Sequence, residues 1–202
     1  MTSELMIIDE RMPRFDVVRR IHEIVEADAG TTWRAARELD FTAVHTPLMD
    51  AAMWVRGLPA RLRRRPQPSP ARLSLAAGDA LPGWLSLGER EGVETAFGAV
   101  GRFWLGAIEW RDVPLAEFAT FDEPGYGKIA CNFSVRPYGA GRTLLTYECR
   151  VATTDATARR RFRRYWMVVR PFVAHIMRAA VRAIAHDAYL RDLGARREAV
   201  HA

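Results

Sequence analysis

The sequence predicts an α+β fold in which antiparallel strands lead into one long C-terminal helix. Three observations predict it. From Ala156 to Tyr189, the residues Phe162, Trp166, Val169, Val173, Ile176, Ala180 and Ile184 recur in steps of four and three, a single helical stripe. Arg160, Arg163, Arg164, Arg178 and Arg182 lie mostly off that stripe, so the helix has two faces. Between Gly83 and Thr153 the texture is β-branched, aromatic and alternating, with glycines at the turns.

At 202 residues, 49% apolar and 27% charged, the chain suits one soluble domain with a sizeable core. The net charge of +6 is carried almost wholly by Arg; Lys128 is the sole lysine. Basic charge without a binding motif reads as a solvated face, so no nucleic-acid partner is expected. No apolar run approaches the ~18 residues of a membrane span, and no basic n-region precedes an apolar stretch at the N-terminus. A cytoplasmic location is therefore expected. Cys131 and Cys149 are too few for a disulfide scaffold or a structural zinc site.

In chain order, residues 1–13 read as a loosely held arm ending at Pro13. Phe15 to Glu26 reads as a strand of uneven alternation. A first short helix follows Asp28, capped by Thr31 or Thr32 and carrying Trp33, Ala36 and Leu39. A second begins at Thr46 and Pro47, buries Leu48, Ala51, Ala52 and Val55, and stops at Gly57 and Pro59. Residues 61–72 hold three prolines and five arginines and read as an exposed loop. One domain over residues 14–190 and a tail at 191–202 complete the division.

Strands are expected near 84–91, 94–105, 107–113, 126–137 and 142–153, with Phe118 and Phe121 plugging the connection before the fourth. The last two form a hairpin. If Tyr138 faces Arg142 across Gly139 and Gly141, then Val135 faces Leu145, Phe133 faces Tyr147 and Cys131 faces Cys149. A slip of one residue would set apolar sides against polar ones. The two thiols then read as small buried residues, or as a reactive pair.

The runs Gly83 to Arg90, Gly98 to Trp104, Phe118 to Tyr126, Tyr147 to Asp155 and Arg161 to Trp166 resemble the START-like (SRPBCC) superfamily, which includes polyketide cyclases and lipid-transport proteins. The resemblance implies the helix-grip architecture: a curved antiparallel sheet of six to seven strands around the long helix, two short helices after the first strand, and a cavity for a small apolar or lipid-like ligand. It implies no shared catalytic motif. Pro171 departs from a regular terminal helix and predicts a kink or short break near Val168 to Arg170.

Strand and helix parity nominates cavity walls: Leu85, Leu87, Phe97, Phe103, Ile129, Phe133, Leu145 and Tyr147, with Phe162, Trp166 and Val173 from the helix. Glu89 shares parity with Leu85 and Leu87, so it is either an inward general base or a surface charge. Tyr147 and His22 are the other candidates for moving protons. Glu148 and Arg150 read as an outward surface pair. No metal-ligand spacing, phosphate loop or nucleophile elbow is present, so neither metal nor cofactor is expected. The sequence thus points first to a carrier or sensor and second to a cyclase- or aromatase-like enzyme, and names no reaction.

Overall fold

A computed structural model describes residues 5–40 and 83–201, with side chains through Glu198. The expected helix from Thr46 and the Arg/Pro-rich segment 61–72 lie outside the described residues.

The strands are β1 (Val17–Val25), β2 (Trp84–Arg90), β3 (Glu94–Arg102), β4 (Glu109–Trp110), β5 (Gly127–Pro137) and β6 (Thr143–Thr153). They form one antiparallel sheet in the order β1-β6-β5-β3-β2, with β4 paired to the end of β3 beyond β2. The helices are α1 (Ile7–Arg11), α2 (Ala29–Arg37), α3 (Leu115–Phe118) and α4 (Ala156–His201). At 1.5 Å per residue, the 46 residues of α4 run for ~69 Å, well past the sheet it crosses.

The hairpin register is the expected one. Val135, Phe133 and Cys131 face Leu145, Tyr147 and Cys149, and Tyr138 N–H donates to the Arg142 carbonyl at 2.9 Å. Register then propagates across the sheet in rows. One inner row runs Trp84, Ala99, Ile129, Val151, Val17. The next runs Ser86, Phe97, Cys131, Cys149, Arg19, and the third Glu89, Thr95, Phe133, Tyr147, Ile21.

Two cores flank the sheet. The inner one packs Phe97, Phe133, Val135, Leu145 and Tyr147 against Met177, Val181 and Ile184 of α4 and Trp33 of α2. The outer one packs Leu87, Ala96, Val100 and Ala130 under Ile7, Ile8 and Met12 of the N-terminal segment and Phe118 of α3.

That outer core corrects the loose N-terminal arm. Glu94, fully buried, accepts from the N–H groups of Ile7 at 2.6 Å and Ile8 at 3.2 Å and from Asn132 Nδ2 at 2.6 Å. At the other end of α1, Arg150 donates to the carbonyls of Ile8 and Met12 and pairs with Asp9 and Glu148. A carboxylate at the first turn and a cation at the last satisfy the groups that a five-residue helix cannot satisfy itself. Glu148 and Arg150 do face outward, but under α1 rather than solvent: Arg150 is only 5% exposed.

Three further expectations change. The cap of α2 is Asp28, which accepts from Thr31 N–H at 3.0 Å, so Thr31 and Thr32 sit inside the helix. Of the kink or short break expected at Pro171, the break is absent: α4 is helical throughout. The carbonyl Pro171 leaves without an N–H belongs to Met167, on a face where Met167 and Val168 are 66% and 68% exposed, so water can take it. The helix also continues to His201, through the segment expected to be a tail.

Candidate functional site

Among the described residues, the apolar inner face is fully buried at one end and unevenly buried at the other. Near the β5–β6 turn, Val135, Leu145, Phe133 and Tyr147 are buried against the second half of α4. Toward the β6–α4 junction, Trp84, Ile129, Cys149 and Val173 touch the same core but stay partly exposed. The helix matches this. Ala174, Met177, Val181, Ile184 and Ala188 are buried, and so are Ala158 and Phe162, but no residue between Phe162 and Ala174 is. Trp166, Val169 and Val173 are half-buried there. Among the described residues, Trp84, Ile129 and Cys149 on the sheet and the turns of α4 between Phe162 and Ala174 are thus only partly covered, while Ala99 and Val151 of the same inner row are buried.

Aromatic rings border this stretch. Trp84 lies 5.6 Å from Phe97 and 6.3 Å from Trp110, and Phe103 lies 5.9 Å from Trp110. Phe103 fits over the paired glycines Gly101 and Gly127; a Cβ on either would approach its ring to 3.1 or 3.0 Å. On α4, Phe162 and Trp166 stack at 5.7 Å.

Leu85 and Leu87 are not on this face. The register shifts between Ser86 and Gly88, so Leu87 is the extra residue of a bulge and both leucines belong to the outer core. The same shift places Glu89 on the inner side, opposite Thr95. There it lies at the rim, exposed and paired with Arg37 of α2 at 3.0 Å. Three strand spacings, about 14 Å, separate its row position from Tyr147. His22 faces outward, exposed, with Nδ1 2.9 Å from the Thr146 hydroxyl. Of the proton-moving candidates only Tyr147 is buried within the inner face.

The Tyr147 ring packs on Phe133 at 4.2 Å. Burial raises its hydroxyl well above the usual tyrosine range, with the nearby Cys131 and Cys149 adding to the effect. Burial likewise raises the Cys131 thiol, and its contact with Cys149 raises it further. Both groups stay protonated at neutral pH: Tyr147 can donate a hydrogen bond but is no base. The linkage has a definite sign. The unfolded chain releases these protons from the ordinary thiol and phenol values of 9.0 and 10.0 upward, while the native chain keeps them. The contribution of these two groups to stability should be level below pH 9.0 and fall above it, and Cys131→Ala should weaken the first part of that fall in alkaline denaturant titrations.

Arg19 was not among the nominated residues. It shares inner parity with Ile21 and Val25, while Arg20 on the outer face forks onto Glu148 at 2.7 and 2.9 Å. The signal lay in the alternation of β1 itself: Val17, Arg19, Ile21, Glu23 and Val25 form one side, with Arg19 its one cation. Among the described residues no group of His, Cys, Asp and Glu is arranged to hold a metal ion, and no helix is long and apolar enough to cross a membrane.

A sheet crossed on its inner face by a long terminal helix, with strand order β1-β6-β5-β3-β2, settles the architecture. The fold is the helix grip. Solved structures similar to this helix-grip chain include the Zhui aromatase/cyclase from Streptomyces sp. R1128, at 16% identity and a TM-score of 0.31 over 87% of this chain and 96% of that one. CalU16 from Micromonospora echinospora is similar at 13% identity and a TM-score of 0.28, over 88% and 86% of the two chains. No protein-family profile and no curated protein matches the chain.

Proposed function

We propose that the protein binds a small apolar or lipid-like molecule between the sheet and the first half of α4, as a carrier or sensor. One observation carries this reading: Trp84, Ile129 and Cys149 on the inner face, and Trp166, Val169 and Val173 on α4, are apolar residues left only partly covered. An apolar surface of this kind gains by covering itself, at about 25 cal/mol per Å² removed from water. A ligand bounded by Ile129, Cys149, Trp84, Trp166 and Val173 would supply that cover, with few polar groups to orient it.

A cyclase- or aromatase-like activity is the second reading. It asks for polar groups that converge in the pocket and exchange protons. Tyr147 serves as a donor only, and Glu89 and His22 are held elsewhere. Binding without chemistry therefore accounts for more of the face. Native mass spectrometry of protein purified from cells should show an added small-molecule mass, and Ile129→Trp, which fills the open end, should remove it. A bare protein mass that also takes up no neutral apolar probe would refute the proposal.

A further inference from the structure

Resting on that binding reading, the polarity of the inner face says more about the ligand. Arg19 stands in the row with Phe97, Cys131 and Cys149, at the β1 edge. Its Nε is buried with no hydrogen-bond partner, and no ion pair engages its guanidinium among the described residues. The acids nearest in sequence are committed elsewhere or lie apart. Asp16 accepts from Arg159 at 2.7 Å and from the Thr153 hydroxyl at 2.6 Å. Glu23 shares the parity of Arg19 but is exposed four residues along the strand, about 13 Å away. Across the sheet its neighbour is the Cys149 thiol, with Val17 and Ile21 on either side along β1.

A covered guanidinium nitrogen without a partner is costly, and in Arg19 this is Nε, the residue as a whole being partly exposed. Arg19 differs in this from Arg20 and Arg150, whose guanidinium groups are met by carboxylates, and shares it with Arg11, which lies on the outer side in α1. We propose that Arg19 is the polar anchor of the inner-face site and that the ligand is a monocarboxylate: an apolar body ending in one carboxylate. The fork of Arg19 would take the two oxygens together. Its position on the edge strand suits this division, since the charged end would lie beside solvent while the body reaches inward over Cys149 and Ile129.

A matched pair of probes separates the anchor from the site. cis-Parinarate and its methyl ester share one apolar chain, differ in charge, and both brighten on leaving water. Wild-type protein should bind the acid more tightly than the ester. Arg19→Gln should weaken the acid roughly tenfold or more and leave the ester within about twofold, with Arg19→Lys recovering part of the loss. If acid and ester bind wild type alike, or R19Q affects both equally or neither, the anchor is refuted while the apolar site stands. If wild type binds neither probe, the inner-face reading falls and the anchor with it.

Discussion

Glu94→Ala should destabilise the protein by about 3 kcal/mol or more, although Glu94 lies far from the candidate site. The change removes the acceptor for three buried donors, the N–H groups of Ile7 and Ile8 and Asn132 Nδ2. Each donor left without a partner costs about 1–3 kcal/mol. Asn132 has little to offer in exchange, because its Oδ1 already lacks a partner. The five residues of α1 are too few to hold a helix alone, so the segment should detach and uncover Leu87 and Val100. Urea unfolding would give the loss, and amide exchange at Ile7 and Ile8 would show where it falls. Glu94→Gln keeps the shape without the charge and should lie between the two. A loss below about 1 kcal/mol with protected Ile7 and Ile8 amides would mean that the carboxylate does not hold the segment.

Phe133→Ala should cost about 3–5 kcal/mol, the usual range for deleting a buried ring. Phe133 is 1% exposed, 4.2 Å from the Tyr147 ring and 6.0 Å from Phe97. Its neighbours are fixed by cross-strand pairing to Thr95 and Tyr147, so they cannot collapse far into the hole. The same substitution at Trp166, half-buried on the open stretch of α4, should cost distinctly less. Chemical denaturation of the two variants side by side checks the contrast between the sealed and open ends. Equal losses would say that the two ends are packed alike.

The β5–β6 hairpin was legible because two clean alternations and a glycine turn leave one register that buries both apolar sides. The stripe of α4 was legible for the same kind of reason, though its buried line shifts to Ala174, Met177, Val181 and Ile184 in the second half. The misplacement of Leu85 and Leu87 came from one bulge, since an inserted residue reverses every inside–outside assignment before it. No local pattern marks such an insertion beyond Gly88, whose φ of 137° is open to glycine and strained for other residues. The N-terminal helix was hidden because its stability is tertiary: one short segment, a carboxylate from β3 and a guanidinium from β6. Arg19 was hidden because a single cation on an edge strand looks like any other surface arginine until its neighbours are known.

Cys149 offers the most direct test of the open inner face, because it lies there half-exposed while Cys131 is buried beside it. Its rate of reaction with a thiol reagent should be measured in a Cys131→Ala background as methyl parinarate is added. The binding account predicts that the rate falls in step with probe occupancy and approaches zero at saturation. An unchanged rate with the probe fully bound would place the ligand elsewhere and contradict it.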